Sequence, residues 1–168
     1  MKRIFLFTTV LILALIAPAL AQEVNTDYDK KFDFSAVKTY AWREGHPVQN
    51  PLVHQRILDA IDSQLAAKGL QKVESSPDVF IDYSGSTKEE MQINEWGYSG
   101  WRWSGSRNVD IRNILIGMMV VDMSEAGENK LVWRGVASDT VSDDPEKNEK
   151  KINKAAKKMF EKFPPKKK

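Results

Sequence analysis

The sequence predicts an α+β fold, an antiparallel or mixed sheet with two helices packed on one face. Three observations lead there. Two segments, near residues 51–68 and 144–163, repeat apolar residues at helical spacing. Runs before and between them alternate apolar and polar residues with the period of two that belongs to strands. The last two of those runs are separated only by a short Gly-containing turn, as in an antiparallel hairpin. Helices set apart from hairpin-linked strands build layers rather than a βαβ alternation.

The first 21 residues are read apart from the fold. Lys2 and Arg3 precede an apolar run from Ile4 to Ala17 that only Thr8 and Thr9 interrupt. Pro18 ends the run, and Ala19-Leu20-Ala21 has the small-x-small form of a cleavage site. This order predicts a secretory signal peptide over residues 1–21 and an exported chain that begins at Gln22. The rival is an uncleaved transmembrane anchor, but the run is at the short end of the roughly 20 residues that span a bilayer. The chain has no Cys, so neither a disulfide nor an acylated cysteine at the cleavage site is available. The exported chain is expected in the periplasm or outside the cell, with no stable membrane anchor.

Residues 22–165 are expected to form one domain, long enough to bury a core, with 166–168 as a disordered basic tail. The leader carries two of the 25 basic residues, which leaves 23 basic against 23 acidic residues after its removal. That balance supplies no overall basic field, and a nucleic-acid partner is not expected. The charge is nevertheless uneven. Ten Lys stand against three Glu from Pro145 onward. Either a solvated helix face or an electrostatic binding face would look this way.

Element by element, Glu23–Asp29 reads as a short strand with Val24 and Tyr28 as apolar anchors, and Thr39–Trp42 as a second strand. Asn50 caps and Pro51 opens a helix to Lys68, whose stripe is Val53, Ile57, Ile61 and Leu65; Gly69 stops it. Asp78–Ser84 alternates as a half-buried strand. Trp96–Gly105 holds four aromatics, three glycines and no aliphatic residue, and reads as a loop or strand tip. Asn113–Met123 is apolar on both faces, which predicts a central strand. Lys130–Val141 returns beside it, with Leu131, Trp133, Gly135 and Ala137 on one side. Asp143 or Asp144 caps the last helix, whose stripe includes Ile152, Ala155, Ala156, Met159, Phe160 and Phe163. Ile57, Ile61, Met118, Val120, Trp133 and Phe160 are expected to share one core, and Trp42 to be buried as well.

These residues resemble a known family. Asp27-Tyr28-Asp29, Phe32-Asp33-Phe34-Ser35 and Lys38-Thr39-Tyr40-Ala41-Trp42 look like the opening of domain of unknown function 4136. Lys68-Gly69-Leu70, Pro77-Asp78-Val79, Lys130 to Gly135 and Phe163-Pro164-Pro165 continue the likeness in order. The resemblance implies a bacterial envelope protein. It supplies no catalytic residues, and the acylated cysteine of many members has no counterpart here.

No sequence motif announces chemistry. Thiol catalysis is excluded, and no nucleophile elbow, P-loop or dinucleotide fingerprint is present. His46 and His54, the only histidines, are read as surface residues, so no metal site and no cofactor are expected. Asp59 and Asp62 share a helix face and read as solvated acids. The candidate binding residues are Trp96, Tyr98, Trp101, Arg102, Trp103 and Arg107. Interleaved aromatics bury large areas at small entropic cost, and the arginines can bind an anion. The same rings could instead cap the end of the sheet. The expected function is a non-catalytic envelope domain that binds a protein, a glycan or a peptidoglycan fragment; the alternative is a hydrolase whose site leaves no sequence signature.

Overall fold

A computed structural model describes residues 22–43, 45–96 and 108–165, with the side chains of 92–96 and 108–111 left aside. Six strands form one sheet: β1 (Glu23–Tyr28), β2 (Thr39–Trp42), β3 (Gln71–Lys72), β4 (Val79–Trp96), β5 (Asn108–Glu125) and β6 (Leu131–Thr140). Two helices, α1 (Pro51–Ala67) and α2 (Pro145–Phe160), complete the α+β fold. The strand order is β1-β6-β5-β4-β2-β3. β2 runs parallel to both β3 and β4, and the other pairs are antiparallel. The mixed sheet follows from connectivity: β2 leads to its parallel neighbour β3 through α1, the kind of crossover a parallel pair requires.

The caps fit the expectation. Asn50 Oδ1 accepts from the amides of Leu52 and Val53, with Pro51 in the first turn. Asp144 does the same for Glu146 and Lys147 at the start of α2. Gly69, at φ 85°, ends α1 in the left-handed conformation that glycine adopts without strain. Leu70 then turns inward and its amide donates to Leu65 O.

The core lies between the helices and one sheet face. Ile57, Ile61 and Leu65 of α1 and Ala155, Met159 and Phe160 of α2 meet Val79, Ile81, Tyr83, Met119, Val121 and Met123. The Trp133 and Phe160 rings stack at 4.9 Å, and Phe163 meets both edge-on. Gly135 makes room for this stack, since a Cβ there would come within 2.6 Å of the Trp133 ring.

The expected core needs correcting in β5. Met118 is 44% exposed and Val120 half-buried, while their neighbours Met119 and Val121 are buried. Helices cover only one face of the sheet, and the alternation puts Met118 and Val120 on the other. Leu131 is also exposed, 43%, although expected to point inward with Trp133. A register shift between Met123 and Ser124 pairs Ser124 with Leu131 and leaves Val132 without a register partner on β5, so Val132 and Trp133 are both buried. Trp42 is half-buried against the core. β3 and a 3-10 turn at Phe34–Ala36 were not anticipated.

Candidate binding site

β4 and β5 pair along their whole length, from Val79 with Glu125 to Trp96 with Asn108. Their other neighbours stop early. β2 pairs with β4 only at Val79–Ile81, with one further bridge from His46 to Ser84. β6 pairs with β5 only from Ile116 to Ser124, and the Val141 amide then donates to Leu115 O. Beyond that point residues 90–96 and 108–114 pair, among the described residues, solely with each other. They form a two-stranded arm of roughly 23 Å, at about 3.3 Å per residue. Glu90 and Asn113 on it are exposed, as are Lys88 and Glu89 at its base, and Met91 is 66% exposed.

Of the expected site residues, the backbone of Trp96 forms the last described pair of the arm. Tyr98, Trp101, Arg102, Trp103 and Arg107 lie outside the described residues. Their place in the chain is between the two strands of the arm. Trp96 is thus the strand-tip residue that one of the two readings expects, and β4 continues through the stretch where the sequence pattern fades.

A second feature lies at the arm's root. A cleft of about 620 Å³ opens between the sheet and the first turns of both helices. Val53 and Ile57 of α1, Ile152 and Ala155 of α2, and Met119 and Ala137 of the sheet supply apolar walls. Its existence has a local cause. On the helix-facing side of the sheet, Gly85 lies opposite Met119 and Gly117 opposite Thr87, so two adjacent strands lack a side chain there. The loop that carries Val48 closes over Gly85, where a Cβ would fall 2.3 Å from Val48 Cγ1. At the rim, Lys151 Nζ donates to Thr140 O at 2.6 Å and forms an ion pair with Asp139 at 3.1 Å.

Gln22 also lines the cleft and is only 6% exposed. Its Nε2 donates to Lys151 O at 2.9 Å. Its Oε1 is buried and has no hydrogen-bond partner among the described residues. Nothing in the sequence flags Gln22, because its neighbour Lys151 is 129 residues away.

Other polar residues have structural jobs. Asp62 was expected to be solvated. Instead its Oδ1 accepts from Tyr40 Oη and Trp42 Nε1, both at 2.8 Å, and its Oδ2 meets Lys72 Nζ at 3.0 Å. It thereby ties α1 to the β2–β3 edge, and burial with the Asp62 hydrogen bond pushes the Tyr40 hydroxyl far above its usual range. Asp59 only accepts from Gln55 at the surface. Asp78 accepts from the amides of Lys38 and Thr39, which hold its carboxyl below the usual value. His54 stacks on Tyr83 at 5.5 Å, and its Nδ1 hydrogen-bonds the Tyr83 hydroxyl, which burial pushes up. On the uncovered sheet face, Arg134 grips Asp122 with two bonds of 2.6 Å, and Arg43 meets Asp82 at 2.8 Å. These acids are held by structural partners. No group of three metal-ligating side chains exists among the described residues. The geometry offers surfaces for non-covalent binding.

Comparison with known proteins agrees on the fold. The family model described as "Domain of unknown function (DUF4136)" matches residues 24–165. Comparison with curated proteins finds no match. Among solved structures, a PDZ domain protein from Parabacteroides distasonis is similar at TM-score 0.60 and 13% identity, over 86% of this chain. The chain spans only 36% of that protein's length. The PelC dodecamer from Paraburkholderia phytofirmans is similar at TM-score 0.51 and 9% identity, over 83% of this chain and 96% of PelC.

Proposed function

The chain belongs to the DUF4136 family, whose description assigns no role, and we propose that it is an exported, non-catalytic binding domain of the cell envelope that engages its partner through the β4–β5 arm. The observation that carries this reading is the arm itself. Strands that pair only with each other gain little stability from doing so, so a long projection is retained for what it reaches. Its last described pair includes Trp96, and the sequence between its strands holds Tyr98, Trp101 and Trp103 with Arg102 and Arg107, residue types suited to stacking on a sugar ring or filling a protein pocket. The leader at residues 1–21 supports export to the periplasm or the medium.

The test compares the exported chain with a Trp101→Ala/Trp103→Ala variant. Capture of proteins from envelope extract and co-sedimentation with purified peptidoglycan are measured for both. The expected result is an unchanged melting temperature with capture lost in one of the two assays. Undiminished capture would overturn this reading, and a variant that unfolds would show that the rings serve the fold instead.

A further inference from the structure

We infer that Gln22, as the first residue of the exported chain, is a pyroglutamate-forming site that folding closes: the unfolded chain cyclises there, and docking on α2 holds the folded chain back. The site rests on the proposed removal of residues 1–21, which leaves Gln22 with a free α-amine. In the reaction that amine attacks the side-chain Cδ of its own residue. The N–Cδ bond forms, the Cδ–Nε2 bond breaks, and Nε2 leaves as ammonia with the proton that the amine gives up. The step needs no oxidant and no cofactor. An α-amine loses its proton near neutral pH, so the nucleophile is on hand.

Three observations place the block at the side chain. First, Nε2 is the leaving group, and it donates to Lys151 O at 2.9 Å, so the reaction must give up that bond. Second, the attack drives negative charge onto Oε1, which is buried with no hydrogen-bond partner among the described residues. An oxyanion there would have neither a protein donor nor water to stabilise it, the reverse of what acyl transfer requires. Third, the main chain is held as well. Lys158 Nζ donates to Gln22 O at 3.4 Å, and the next residue, Glu23, pairs with Ser138 in the β1–β6 ladder. Closing a five-membered ring draws Cδ against the residue's own nitrogen, and these tethers oppose that movement. Lys151 and Lys158 are 129 and 136 residues away, so the protection exists only once α2 has folded against the start of β1.

Intact mass and N-terminal sequencing of the chain purified from the envelope come first. The expected chain starts at Gln22 and keeps its amide. A different first residue would overturn the cleavage reading and this inference together, and a chain already short of one ammonia would overturn the inference alone. Loss of ammonia is then followed by mass at one mildly alkaline pH, with and without denaturing guanidinium. A peptide of residues 22–31 in the same two buffers gives the intrinsic rate. The chain should match the peptide in guanidinium and cyclise at least about tenfold more slowly without it, as expected of a group that reacts only from an opened state. Chain and peptide reacting at the same rate in native buffer would overturn the inference and leave the cleavage reading standing. The cyclised chain, returned to native buffer, should melt below the uncyclised one, because the donor to Lys151 O has left with the ammonia. An unchanged melting temperature would overturn the role given to that bond.

Discussion

Strands β4 and β5 are each 18 residues long, and their two halves live under different rules. In the half nearest the helices, Ile81 lies opposite Met123 and Tyr83 opposite Val121, and these four, with Val79 and Met119, are buried under α1 and α2. In the outer half, the same ladder of backbone bonds continues, yet Glu89, Glu90 and Met91 face solvent on β4. The difference teaches that pairing and stability are separate matters. Net backbone hydrogen bonding contributes little once water competes for the same groups, and side-chain burial decides which half holds the molecule together.

The comparison can be broken most forcefully from the core side. Phe160 is fully buried and stacked on Trp133, so Phe160→Ala should cost about 3–5 kcal/mol in denaturant unfolding. A loss under 1 kcal/mol would mean that the helices contribute less than the packing implies. Next comes Asp62→Ala, which strips Tyr40 Oη and Trp42 Nε1 of their shared acceptor and should cost about 1–3 kcal/mol. Restoring hydrogen bonding with Asp62→Asn should recover part of it, and the same denaturant series measures both.

A smaller effect is expected in acid. The Lys38 and Thr39 amides lower the Asp78 carboxyl from its ordinary 3.8, and Lys130 lowers that of Asp29. A carboxyl lowered on folding contributes stability that is present above its unfolded value and lost as the pH falls through the folded one. The melting temperature should therefore drop below about pH 4, and Asp78→Asn should flatten that drop while lowering the plateau at neutral pH. The smallest effect belongs to the arm. Replacing residues 92–112 by Asn-Gly, a two-residue hairpin turn, should shift stability by less than about 1 kcal/mol. A loss as large as that of Phe160→Ala would show that the arm is part of the core.

Some of this was legible in the sequence and some was not, for identifiable reasons. Helix α1 was readable because a four-residue apolar repeat, Asn50, Pro51 and Gly69 all agree on its limits. β5 was readable as central but not as one-sided, because apolar residues on both faces give no hint of which face the helices cover. Leu131 was misplaced because a bulge shifts the alternation by one residue, and nothing local to Leu131 announces it. β3 is Gln71-Lys72, two polar residues whose strand character comes wholly from pairing with β2. The cleft was invisible because it consists of side chains that glycines do not have, and of a Gln brought to Lys151 by the fold alone. The aromatic segment was the reverse case, prominent in composition and positioned by topology between the arm's strands.

The placement of β1 has a bearing on how the chain reaches its folded state. Among the described residues β1 pairs only with β6, register Glu23 to Ser138, and Gln22 beside it bonds to α2. The first strand to emerge has no neighbour in sequence to fold against, and its docking site is complete only when nearly all the rest is present. Such distant contacts slow folding, because the loop must close before any bond rewards it. The sheet cannot close on its first strand until β6 is in place, so β1 is the strand expected to dock last.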